Sequence, residues 1–235
     1  MIFGQISNSY NKYSSKLDYL QFDICGLSVE EARVKLDDVL EKNNFIDKII
    51  LHSDWSKNKI SENNLPNRID DYIQIKNELS KSVNVIGLTL HPMFKNKASL
   101  NEFNSLVNEL KSEMTVFVEN RSNHKILISE PSEVIEYSKS NNMTIDIPQL
   151  LISCQYDYDY FLKTLSEINW FNVCEIHLAN LKRDGNRTYV GRNLDDGIIN
   201  MNDIKPYLFN KLVTLEILHG SKSFEKNVAF LKDMF

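Results

Sequence analysis

Eight short apolar runs, separated by longer amphipathic stretches, set the frame within which this chain can fold. They are Ile2 to Ile6, Leu17 to Ile24, Lys48 to His52, Val83 to His91, Met114 to Glu119, Met143 to Ile147, Val173 to Leu178 and Leu212 to Leu218. Their Val, Ile, Phe and Thr content suits strands buried on both faces, as in a parallel sheet. Helix signals lie between them: Ser28 caps a Val-Glu-Glu-Ala start, Ser99 has Glu102 three residues on, Pro131 occupies a first turn, and the stretch from Ser223 forms a final amphipathic helix.

This alternation in 235 residues predicts an α/β chain, a (β/α)8 TIM barrel forming a single domain over residues 1–235. An open doubly wound sheet is the alternative. The barrel is favoured by the residues that close six consecutive runs: His52, His91, Glu119, Asp146, His177 and Glu216. All fall at carboxyl ends, and only a closed ring brings such ends around one centre. Parity along each strand adds detail, because residues two apart share a face. Thr89, Phe117, Thr144 and Thr214 precede His91, Glu119, Asp146 and Glu216 by two and suit a barrel interior. Glu175, two before His177, needs an interior partner that the pattern does not supply.

Imidazoles and carboxylates hold zinc, manganese, cobalt, iron or magnesium. Taken singly, each polar strand end has a plainer reading as the place where the chain leaves the sheet. Taken together, buried carboxylates closing Val-Phe-Val and Val-Thr-Leu need a cation, so a divalent metal ion is the expected cofactor. The net charge of −5 argues against a nucleic-acid partner. Cys25, Cys154 and Cys174 lack metal or redox spacing and read as reduced structural thiols. No run approaches bilayer-spanning length and the amino terminus lacks a basic, apolar leader, so a soluble cytoplasmic protein with no membrane partner is expected.

The elements Val118-Glu119-Asn120, Ile145-Asp146, Ile176-His177-Leu178 and Leu215-Glu216 resemble those of the xylose isomerase-like TIM-barrel superfamily, which contains sugar isomerases and epimerases, inositol-catabolism enzymes and the endonuclease IV group. The resemblance spans nearly the whole chain. It implies that Glu119, Asp146, His177 and Glu216 bind one metal ion, and that homo-oligomers, often dimers or tetramers, form. Arg183, six residues after His177, matches an arginine that ketose epimerases place beside the substrate, and Thr188 to Ile199 looks like their region after strand seven. Gln149 stands where a histidine is usual and is a candidate substrate contact; Ala179-Asn180 replaces a frequent Lys-Asp.

His52 in Leu-His-Ser-Asp-Trp and His91 in Leu-Thr-Leu-His-Pro look like the histidines with which endonuclease IV enzymes hold a further metal shared through the strand-five glutamate. A second ion and substrate hydrogen bonding are equal alternatives for this pair. Gln149 and the Gly185-Asn186-Arg187 region lack the remaining ligands, so a trinuclear cluster is not expected.

The resemblance implies a metal-dependent isomerase or epimerase acting on a small sugar, sugar phosphate or polyol through an enediolate, with Glu119 and Glu216 as catalytic bases on opposite sides. Lys222, in His219-Gly220-Ser221-Lys222-Ser223, is a candidate phosphate contact at a helix start, against the alternative of a glycine turn with an exposed lysine. The competing readings are a two-metal phosphodiester hydrolase, an iron-dependent oxidative enzyme and a barrel that binds without turnover. Two long polar segments, Ser53 to Arg68 and Asn180 to Asn200, would form lids or substrate walls. Trp55 and the aromatics from Tyr156 to Tyr160 read as packing residues, and His124 as solvated.

Overall fold

The structure, a computed structural model, describes residues 1–6, 13–53, 64–217 and 220–235. Among them, eight parallel strands close into a barrel: β1 (Ile2–Ile6), β2 (Tyr19–Asp23), β3 (Lys48–His52), β4 (Asn84–Leu90), β5 (Val116–Glu119), β6 (Met143–Asp146), β7 (Val173–Leu178) and β10 (Leu212–Leu215), with β1 joining β10 to β2. All eight predicted runs are strands of this ring, and the doubly wound alternative is excluded by its closure. The helices start where side chains satisfy their first N–H groups. Helix α1 (Val29–Lys42) opens on a capping box between Ser28 and Glu31, and α3 (Leu100–Lys111) on one between Ser99 and Glu102. Pro131 begins α4 (Pro131–Ser138), as its fixed φ favours. Helix α2 (Ile69–Leu79) buries Ile69, Tyr72, Ile75 and Leu79.

The barrel interior is layered. At its amino-terminal end Tyr19, Ile50 and Phe117 pack together with Ile86, Cys174 and Leu212. Ile86 and Cys174 belong to the places where the register slips by one, between Ile49 and Ile50 opposite β4 and between Met143 and Thr144 opposite β7. These bulges feed an extra side chain toward the bottom layer and keep Thr89 and Glu175 aimed inward above it.

Tyr19 fills space that β1 leaves open. A Cβ at Gly4 would stand 2.3 Å from the Tyr19 ring, so only glycine is accommodated. Gly4→Ala is therefore expected to overpack the barrel and cost about 1–3 kcal/mol, lowering the thermal midpoint by about 3–10 °C; an unchanged melting curve would show that the ring yields.

The segment after β7, expected to form a lid or substrate wall, has regular structure. It is an antiparallel hairpin, β8 (Asn180–Asp184) and β9 (Arg187–Arg192), turning at Gly185 with φ of +55°. Its root is fixed by Asn180, buried, whose Nδ2 donates to the carbonyls of Leu194 (2.8 Å) and Ile199 (3.0 Å) while Oδ1 accepts from the N–H groups of Leu181 (2.9 Å) and Ile199 (3.0 Å). An aspartate could not donate the first two bonds, which explains asparagine here. Helix α5 (Ile147–Ser153) follows β6 directly, and α6 (Tyr158–Glu167) is capped by Asp157. Tyr156 OH bonds Thr188 Oγ1 on the hairpin and Tyr158 OH bonds Asp203 at 3.1 Å, so these two pack as expected, whereas Tyr160 is exposed. The run predicted to Leu218 ends as a strand at Leu215, although Glu216 N–H still reaches Leu178 O at 3.1 Å. Helix α7 (Met201–Ile204) precedes β10, and α8 (Gly220–Asp233) closes the chain. Among the described residues no helix is long and apolar enough to cross a membrane, and the three cysteines are free.

Candidate metal centre

Register places the polar strand ends at one height: His52 pairs with Thr89, Glu119 with Thr144, Asp146 with His177, and His177 with Thr214. The consequence is convergence. Glu119 Oε2 lies 3.2 Å from His52 Nε2, 3.3 Å from His91 Nε2 and 3.4 Å from His177 Nδ1. His177 Nδ1 is also 3.3 Å from Glu216 Oε1. Two groups of donor atoms, His52–Glu119–His177 and Asp146–His177–Glu216, each lie within 4.8 Å of one another. The six predicted residues thus meet at the carboxyl mouth of the barrel, with His177 common to both halves.

The residues suit a divalent ion on chemical grounds. His177 Nδ1 and His52 Nδ1 are buried without a hydrogen-bond partner among the described residues. Three carboxylates crowd this space, and their mutual effect is visible in Asp146, whose carboxyl is raised well above its ordinary range by burial and then by Glu216 and Glu119. A cation relieves that repulsion. Burial opposes ionisation of Glu119 too, but His91, His177, Arg121 and His52 together hold it well below the usual carboxylate range. Burial pushes the His177 imidazole down, yet Glu216, Glu175 and Glu119 outweigh it and raise its affinity for a proton well above the ordinary value.

Beneath the ligands lies a polar layer that the sequence pattern left unexplained. Glu175, fully buried, accepts from Thr89 Oγ1 (2.6 Å), Thr144 Oγ1 (2.8 Å), Thr214 Oγ1 (2.6 Å) and Gln21 Nε2 (3.3 Å). Its Oε2 faces His177 Nε2 at 3.4 Å, and the Gln21 amide lies 2.6 Å from the same nitrogen. A carboxylate behind Nε2 favours the tautomer with its proton there, leaving Nδ1 for the mouth of the barrel.

Arg121 has no role in the sequence reading. Its Nη1 donates to Glu119 Oε1 at 2.7 Å and lies 3.3 Å from His91 Nε2. The signal was parity: Arg121 stands two residues beyond Glu119 and so follows it into the mouth.

The remaining predicted contacts are less central. Gln149 Oε1 accepts from Ser122 N at 3.2 Å and from Ser122 Oγ, while its own N–H caps onto Asp146 Oδ1 at 2.8 Å. Its side chain is therefore tied to the loop after β5. Arg183 is exposed on the hairpin, its guanidinium 4.4 Å from the centre of the Tyr156 ring. Lys222 is exposed in the first turn of α8 rather than in a loop. Trp55 and His219 lie outside the described residues.

Comparison of coordinates gives whole-length matches. The IolI protein with a bound zinc atom superposes with a TM-score of 0.68 over 99% of this chain and 97% of its own, at 11% identity. A xylose isomerase domain protein from Alicyclobacillus acidocaldarius gives 0.63 over 100% and 96% at 10% identity. What these proteins share with the chain is the TIM-barrel fold. The probable 3-DHS dehydratase AsbF from Bacillus anthracis shares it, with a TM-score of 0.61 over 99% of both chains at 12% identity. No protein-family model and no curated protein matches the sequence, so the likeness lies in the fold and not in the overall sequence.

Proposed function

We propose that this chain is a divalent-metal-dependent isomerase or epimerase of a small sugar, sugar phosphate or related polyol. The observation that carries the proposal is the approach of Glu119 Oε2 and Glu216 Oε1 to one atom, His177 Nδ1, at 3.4 and 3.3 Å, with Asp146 beside them. Glu119, Asp146, His177 and Glu216 would hold the ion. Bound there, it would polarise a carbonyl and acidify the adjacent C–H.

The chain's own residues divide the remaining work. Glu216 is the most open of the three carboxylates, with its side chain 26% exposed, and it is placed to remove the proton and return it to a neighbouring carbon. Epimerisation requires Glu119 to act as well, from the other side. Glu119 is a poor base, because the three imidazoles and Arg121 hold it ionised, and this favours a single-base proton shift on Glu216. His91 and His52 line the opposite wall, where they can donate to substrate oxygens. The Arg183 side of the hairpin and the Lys222 end of α8 would supply the outer contacts, Lys222 for a phosphorylated substrate.

The test is solvent exchange. Ketoses and their phosphates incubated in deuterated water with the metal-loaded protein are expected to gain deuterium beside the carbonyl, and exchange is expected to stop on chelation. Exchange that persists in chelated protein, or loss of water in place of exchange, would replace this reading. The latter outcome would place the chain with dehydratases such as the one named for AsbF.

Metal binding also has a stability signature with a defined pH sign. The raised groups, Asp146 and His177, stabilise the metal-free protein while protonated and lose that contribution as pH rises through their folded-state values. Glu119, which is depressed, matters only in acid. An ion replaces the protons, so the gain in thermal midpoint on adding metal is expected to grow from about pH 6 to about pH 8. At 100-fold excess over Kd the gain is about 2.7 kcal/mol, or roughly 5–10 °C for a chain of this size. A gain that shrinks with pH in calorimetric scans would contradict the assignment.

A further inference from the structure

We infer that the guanidinium of Arg121 occupies the role of a second cation, so that the centre takes a single metal ion and His52 and His91 form a hydrogen-bonding wall. The inference rests on the proposed metal centre and decides its nuclearity. A second ion would need His52 Nε2, His91 Nε2 and a bridging Glu119, and these atoms do stand within 3.2 and 3.3 Å of Glu119 Oε2. What opposes it is that the bridging carboxylate is already paired with a cation: Glu119 Oε1 accepts from Arg121 Nη1 at 2.7 Å. The same Nη1 lies 3.3 Å from His91 Nε2, the nitrogen that faces Glu119 and that a second ion would share.

Arginine fits this role because its charge cannot be lost by deprotonation at any physiological pH, unlike lysine's. It is also anchored. Arg121 N–H donates to Ile128 O at 3.2 Å, its carbonyl accepts from Ser153 Oγ at 3.2 Å, and its side chain is only 21% exposed. The charge therefore stays beside Glu119, and a divalent ion bound between the two histidines would face it directly. The other half of the mouth is different: among the described residues neither Asp146 nor Glu216 is paired with an arginine or lysine. The fixed charge of Arg121 is paired with Glu119 Oε1, while Oε2, in the midst of the three imidazoles, is left to the exchangeable ion.

The test is metal stoichiometry. Protein stripped by chelation, reloaded with cobalt(II) or zinc and freed of excess is expected to hold about one ion per chain by elemental analysis, rising to about two in Arg121→Met, where Glu119 and His91 are released. His91→Gln is expected to keep the single ion with an affinity within about tenfold of the parent, since it lies outside the four ligands. Two ions in the parent protein, or no second ion in folded Arg121→Met, would overturn the inference. Should Arg121→Met fail to fold, His91→Gln decides: retention of the ion supports the assignment and its loss overturns it. Absence of any bound ion in the parent sinks the metal-dependent function together with this inference, whereas two ions sink this inference alone.

Discussion

Glu216→Gln, assayed with metal saturating, is expected to lower deuterium exchange by about 100- to 10,000-fold, the range over which a positioned general base accelerates proton transfer. The amide is isosteric and leaves Glu119, Asp146 and His177 in place, so the loss would lie in turnover more than in metal occupancy. Glu119→Gln separates the two modes of proton movement. If Glu216 acts alone, Glu119→Gln weakens metal binding and, once metal is restored, recovers most of the exchange. If the protein is an epimerase that uses both faces, exchange survives at one face while net epimerisation stops. Equal exchange in Glu216→Gln and the parent would remove Glu216 from the chemistry.

Glu175→Leu is expected to be the most destabilising change inside the barrel. Glu175 is the shared acceptor for Thr89, Thr144, Thr214 and Gln21 and the partner of His177 Nε2. An apolar replacement strands these donors where water does not reach, which places the cost at about 3–5 kcal/mol and the fall in thermal midpoint at about 6–20 °C. Glu175→Gln keeps volume and some bonding but forfeits the charge behind His177. Its metal affinity is expected to fall about 10- to 100-fold, the usual effect of losing a carboxylate behind a ligating histidine. Isothermal titration with zinc would measure this without any substrate. An affinity equal to the parent's would mean that Glu175 serves the barrel and not the ligand.

The ring and its polar mouth were legible because both are written locally. Buried parallel strands are apolar along their whole length, so His52, Glu119, Asp146 and His177 stood out at the point where each run met the mouth, and Ser28 and Ser99 announced their helices within a single turn. What was not legible depends on contacts between distant strands. Glu175 draws its partners from positions 31, 39, 86 and 154 residues away, and no local pattern carries such a set. Arg121 was obscured by the polar residues after it, because a loop composition says nothing of where one side chain turns back. The β8–β9 hairpin had its turn signal in Asp184-Gly185-Asn186, but strands with mostly exposed faces lack the apolar alternation that marks a half-buried hairpin.

The Asn180 clamp has a bearing on how such a molecule could acquire new specificities. Because its four hydrogen bonds fasten the chain at 181, 194 and 199, the intervening hairpin is attached to the barrel like a blade to a fixed handle. Its second strand, with Tyr189 and Val190 about half exposed, faces solvent while His177 is secured from below by Glu175. Lengthening, shortening or exchanging the blade would leave the handle and the imidazole undisturbed. Selection, or a designer, can thus alter what reaches the mouth without reopening the question of how the barrel holds together.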